Sequence, residues 1–159
     1  MLPIIYQAIY FFPFENYICT FSAPEDVFRY TATGEILGVA EGKESCMIIY
    51  QRPDNVYSTL CVKKENGAYK IMVVQPISAF ISVSMGEYEE RGMLKHLRDG
   101  TDFYLTVLWS TQEDEVKVED TAGSTFHHII TQDQLSDFKT VFSYAYIENY
   151  TEDYEVAIG

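Results

Sequence analysis

SCMIIYQRPDNVYSTLCVKKENGAYKIMVV, residues 45–74, decides the fold. Three runs of apolar, β-branched and aromatic residues are separated there by two turn signals. Pro53 presets φ, Asp54 completes a type I turn, and Asn55 tolerates the left-handed position that usually takes Gly, so the first pair of runs closes through a three-residue loop. Asn66-Gly67 is the pair favoured in a two-residue type I′ turn. The resulting register sets Cys46 opposite Val62, Ile48 opposite Leu60, Val62 opposite Ile71 and Leu60 opposite Val73. An antiparallel meander follows. One face collects Cys46, Ile48, Leu60, Val62, Ile71 and Val73; the other has Met47, Ile49, Cys61, Met72 and Val74, so both faces are expected to be covered. Cys46 and Cys61 fall on opposite faces, which disfavours a bond between them.

Working downstream, residues 77–85 alternate apolar with Ser and Phe at period two and read as a strand. Ser84-Met85-Gly86-Glu87 fits a capping box and Gly100 stands where a C′ residue would, predicting a helix over 85–99. Gly92 in its middle would cost about 1 kcal/mol relative to Ala. The alternation of 103–109, followed by Val116-Lys117-Val118, predicts a hairpin across 111–114. Residues 125–130 read as a strand. Thr131-Gln132-Asp133-Gln134 then begins a helix with Leu135, Phe138, Phe142 and Ala145 on one side; because 140–147 (TVFSYAYI) is also β-rich, the alternative is a helix that stops near Lys139 and gives way to a final strand.

Upstream, 2–12 and 17–21 read as strands, with Pro13 breaking the first. Ser22-Ala23-Pro24-Glu25 fits a capping box with Pro in the first turn, giving a short helix over 24–30. The competing reading is a hairpin of 27–32 with 36–40 about Gly34. The expected fold class is α+β: a mainly antiparallel twisted sheet or partly open barrel with about two packed helices, in a single globular domain over 1–159.

At 159 residues and 47% hydrophobic, with 13 Tyr, 10 Phe and one Trp, the chain can bury roughly 70% of its unfolded surface. Net charge is −13, and it is uneven. Residues 113–159 hold eleven acids against Lys117 and Lys139. Phosphate backbones are disfavoured as ligands, since binding them needs a basic footprint that releases counterions; an acidic surface attracts basic protein. The N-terminal run lacks a basic region and is interrupted by Gln7 and Glu15, so neither a signal peptide nor a membrane span is expected. Cys19, Cys46 and Cys61 are odd in number and lack CxxC spacing, which suits a reducing compartment and a cytoplasmic address. Asn149-Tyr150-Thr151 matches a glycosylation sequon, read as chance without a secretory signal.

No spacing names a reaction. His127 and His128 are neighbours on a predicted strand and point to opposite faces, so they cannot share an ion. His96 has no H-x3-H partner, and all three histidines are expected to be structural or at the surface. Glu113-Asp114-Glu115, with Glu119 and Asp120, lacks the D-x-[DN]-x-[DN]-G spacing of a calcium loop and reads as a solvated hairpin tip. The phosphate-loop, dinucleotide and nucleophile-elbow motifs are missing, and the cysteines sit in predicted strands where a buried thiol is inert. No cofactor, metal or catalytic residue is expected.

What remains is the acidic, Tyr-rich segment of about 144–159. Tyr offers large contact area at low entropy cost, and interleaved carboxylates can meet Arg and Lys of a partner; the plain alternative is a solvated end with its rings folded back on the core. The expectation is a stoichiometric binding protein, an inhibitor or immunity-type protein that docks on a basic protein surface, including a DNA-mimicking inhibitor of a nuclease. Its expected contacts are Glu113, Asp114, Glu115, Glu148, Tyr150, Glu152, Asp153 and Tyr154. Two other classes stay open: a small-molecule binder or enzyme with an apolar cavity in a curled sheet, and a structural or assembly subunit.

Overall fold

Asn55 and Asn66 take φ values of 62° and 52°, followed in the second turn by Gly67 at 76°. Both expected turns therefore form with left-handed backbone where Asn and Gly tolerate it. Arg52 and Val56 close the first turn, the Arg52 N–H donating to the Val56 carbonyl at 2.9 Å.

The computed structural model describes residues 20–159. The strand expected over 2–12 and most of that over 17–21 lie outside the described residues. The chain divides into two compact units, one ending at Gln75 and one spanning Pro76–Gly159.

The first unit has helix α1 (Pro24–Thr31) and strands β1 (Glu35–Glu41), β2 (Ser45–Gln51), β3 (Tyr57–Glu65) and β4 (Ala68–Ile71). They form one antiparallel sheet in sequential order. Cys46 faces Val62, Ile48 faces Leu60, and Val62 faces Ile71, as the turns require. The expected pairing of Leu60 with Val73 does not form, because β4 ends at Ile71. There the chain leaves the ladder: the Met72 carbonyl accepts from Gln75 Nε2 at 3.2 Å, and Pro76 follows. Cys46 and Cys61 are buried thiols outside any disulfide.

Of the two readings for 24–30, the helix is the one observed. Its N-cap is Ala23 rather than Ser22, with Pro24 inside the first turn. Ser22 instead donates to Asp26 Oδ2 at 3.2 Å, so the expected capping box is replaced by a side-chain contact. Val27 and Phe28 are buried with Ile48 and Val62. Burial of each is worth about 1.5–3 kcal/mol, enough to hold a two-turn helix that would be marginal alone. On the other face of the sheet Met47, Ile49 and Cys61 are buried too.

The second unit contains β5 (Ile77–Met85), β6 (Tyr88–His96), β7 (Phe103–Thr111), β8 (Val118–Asp120), β9 (His127–Gln132), β10 (Lys139–Ile147) and β11 (Val156–Ile158). They form one curled, half-barrel sheet in the order β8-β11-β5-β6-β7-β10-β9. Only the β11–β5 contact is parallel. The concave face gathers Val83, Leu105, Val107, Trp109, Val141, Ala145 and Ile147, closed by Val118, Val156 and Ile158.

Three expectations are corrected here. The helix over 85–99 is a hairpin turn and β6: Gly86 (φ 60°) and Gly100 (φ 78°) are turn residues rather than parts of a helix boundary. Gly92 sits in β6 where a Cβ would lie 3.0 Å from Leu105 Cδ1 and 3.0 Å from Val83 Cγ2, so glycine answers to packing. The helix from 131 is also absent; a short loop leads from β9 into β10, which realises the strand alternative for 140–147. Finally, β8 pairs with β11 and not with β7. The described protein is thus mostly β with one helix, not two. No helix among the described residues is long and apolar enough to cross a membrane.

Candidate functional site

The register of the second unit fixes which loops share an end. Thr111 of β7 lies opposite Lys139 of β10, which lies opposite Gln132 of β9. The loops after β7 and β9 therefore meet at that end. Phe103 and Ile147 are paired at the other end, eight residue steps along, or about 27 Å away.

This arrangement separates the expected contact residues into two groups. Glu113, Asp114 and Glu115 lie on the connection from β7 to β8, all exposed. Lys139 Nζ sits 3.0 Å from Asp114 Oδ1 and donates to the Glu113 carbonyl at 3.1 Å, so this group carries its own counter-charge. The same end includes the exposed Asp133 and Asp137 of the β9–β10 loop and Glu87 at the β5–β6 turn. Asp133 is an internal cap there: it accepts from the Leu135 N–H at 2.9 Å and from Ser136 Oγ at 2.9 Å, and these bonds hold its carboxyl below the usual range.

Glu148, Tyr150, Glu152, Asp153 and Tyr154 lie on the connection from β10 to β11, which leaves β10 at the opposite end, where Ile147 pairs with Phe103, and runs back to β11, whose Ala157 and Ile158 pair with Ser84 and Met85 of β5. Here the two residue types part company. Tyr150 stacks on Phe103 with ring centroids 4.1 Å apart and planes 11° from parallel, and His96 also stacks on Phe103, at 5.0 Å. Tyr154 packs beside Tyr150 at 5.4 Å. Its hydroxyl donates to Asp120 Oδ2 at 2.9 Å, while Asp120 Oδ1 accepts the Ser124 N–H at 2.7 Å. Burial and the neighbouring Asp120 carboxylate push the Tyr154 phenol well above its ordinary pKa. Both rings pack against the core, so the plain alternative for the tyrosines describes their placement.

The carboxylates point the other way. Glu148, Glu152, Asp153 and Glu155 are exposed. Among the described residues, no lysine or arginine forms a salt bridge with Glu152, Asp153 or Glu155. The backbone beneath them is fixed: Thr121 N–H donates to the Glu155 carbonyl at 3.0 Å, Glu155 N–H donates to Thr121 Oγ1 at 3.1 Å, and Tyr154 N–H donates to the Thr151 carbonyl at 3.2 Å. The result is a held loop with negative groups outward and aromatic rings inward.

Two features were not singled out in the sequence. Asp102 at this end is buried, accepts the Tyr146 hydroxyl at 3.3 Å and belongs to the scaffold rather than to the display. Tyr154, Val156 and Ile158 alternate at period two, a strand signal for β11 that places Tyr154 on the inward side.

The histidines do not assemble a reactive centre. His128 Nδ1 lies 2.8 Å from Ser143 Oγ, a pairing that elsewhere activates a nucleophile. Ser143 is completely buried, and its oxygen also accepts the Trp109 indole N–H at 3.0 Å. No substrate carbonyl can approach it. His127 stacks on Tyr144 on the opposite face of β9. No group of three His, Cys, Asp or Glu side chains able to hold a metal occurs among the described residues.

Comparison with protein-family models, with curated proteins and with solved structures gives no match in any of the three.

Proposed function

We propose that the chain is a stoichiometric binding protein that docks its 148–155 loop on a basic protein surface, as an inhibitor or immunity-type protein would. The class of target that fits is a nuclease or another nucleic-acid-binding protein, whose cationic cleft would receive carboxylates where phosphates otherwise lie. One observation carries this reading: Glu152, Asp153 and Glu155 are presented on a loop anchored by Tyr150 and Tyr154, with no cation bridging them among the described residues.

Rigidity matters because association loses less conformational entropy when the contact groups are already in place. The tyrosines serve in this reading as pins that set the loop, rather than as the aromatic anchors expected from their composition. Glu113, Asp114 and Glu115 contribute less, since Lys139 already neutralises part of their field. A small-molecule site in the curled sheet has less support, because the concave face is filled by its own side chains.

The test is capture from host extract at low salt, comparing the wild-type chain with the triple variant Glu152→Gln, Asp153→Asn, Glu155→Gln. A basic protein retained in near-equimolar amount by the wild type and depleted on the variant is expected. Equal retention by both would sink the proposal.

A further inference from the structure

Trp109, Ser143 and His128 form a chain of hydrogen bonds whose donors and acceptors fit a single protonation state. Trp109 is on β7, Ser143 is on β10, and His128 is on β9 directly opposite Ser143. The indole can only donate, and it donates to Ser143 Oγ at 3.0 Å. Ser143 is 0% exposed, so its hydroxyl hydrogen cannot turn to water. The acceptor in reach is His128 Nδ1 at 2.8 Å, which requires a neutral imidazole with its proton on Nε2.

An imidazolium has N–H on both nitrogens. Nδ1 would then donate to Ser143 Oγ, the oxygen would receive two bonds, and the buried hydroxyl hydrogen would lose its acceptor. We propose that this chain is a proton-operated latch: protonation of His128 reverses the side-chain bond that joins β9 to β10 at Ser143, strands the buried hydroxyl hydrogen without an acceptor, and so loosens β9 in mildly acidic solution. Because β9 ends the sheet order among the described residues and pairs there with β10, a weakened latch falls on a strand with one neighbour.

The surroundings reinforce the neutral form. Burial lowers the His128 pKa from its ordinary 6.5, and the nearby His127, on the opposite face of β9, lowers it further. From β10 and β7 the side chains sharing its face are Val141, Ala145, Val107 and Trp109, none of them charged. Among the described residues His127 is the titratable group acting on it electrostatically. The unfolded chain therefore binds the proton more readily than the folded one. Stability conferred by neutral His128 is complete above about pH 6.5 and is lost as pH falls from there toward the lower folded value. Within that window the folded-to-unfolded ratio drops by up to about tenfold per pH unit.

Trp109 is the sole tryptophan and reports directly on the chain. Urea unfolding followed by its fluorescence between about pH 7.5 and pH 5.5 lies above the ordinary titration of carboxylates. The wild type is expected to lose stability across this range; His127→Gln is expected to keep that loss. His128→Gln, whose amide oxygen can take the Ser143 hydroxyl without titrating, is expected to abolish it. An unchanged pH dependence in His128→Gln overturns the proposal. Nitrogen NMR of the wild-type imidazole gives an independent reading that needs no variant. A proton on Nε2 with a pKa below 6.5 supports the latch, and a proton on Nδ1 or a pKa of 6.5 or above overturns it.

Discussion

Tyr154 shows how one hydroxyl changes the meaning of a segment. Its composition matched a contact residue, yet its ring lies against the core and its hydroxyl is bound to Asp120. Replacing it by Phe removes that bond and leaves one carboxylate oxygen of Asp120 without its donor. We expect a stability loss of about 1–3 kcal/mol, read as a lower urea midpoint with an unchanged m-value. No loss would mean that water substitutes fully and that the loop is not pinned there. This inward placement was partly legible: Tyr154, Val156 and Ile158 alternate. The stack of Tyr150 on Phe103 was not, because it joins positions far apart in sequence whose meeting depends on the β7–β10 register. His128 was equally opaque; strand alternation separated it from His127, but nothing local pointed to Ser143.

Among elements, the meander was legible as far as Ile71 because its turns demand unusual backbone at Asn55, Asn66 and Gly67, and the turns set the pairings on either side of them; the expected Leu60–Val73 pair fails because β4 ends first. The segment 85–99 was misread for a physical reason. Gly86 and Gly100 occupy left-handed positions that serve a hairpin turn as well as a helix end, and local sequence does not distinguish the two uses. Gly92 discriminates between them. In a helix Gly92→Ala would stabilise by about 1 kcal/mol. In β6 the added Cβ meets Leu105, Val83 and Ile81 at 3.0–3.2 Å, so the substitution is expected to destabilise by about 1–3 kcal/mol through overpacking. Thermal unfolding of the variant reads the sign. A raised midpoint would contradict the strand assignment.

For the whole molecule the dominant quantity is a net charge of −13, which repels itself and attracts cationic partners. The ion pairs that offset it, such as Lys64 with Glu41 at 3.0 Å and Lys117 with Glu119 at 2.9 Å, are surface contacts worth little individually. Added monovalent salt should therefore raise the thermal midpoint, since it screens repulsion more than it weakens those pairs. A falling midpoint would mean that the pairs outweigh the net charge. Docking of the 148–155 loop on a positive surface is read from the association rate with the captured partner as salt rises from about 0.01 M to about 1 M, where the Debye length shrinks from about 30 Å to about 3 Å. The Glu152→Gln, Asp153→Asn, Glu155→Gln variant is expected to associate roughly tenfold or more slowly than the wild type at low salt, and the two rates are expected to converge at high salt. Equal rates at low salt would contradict it.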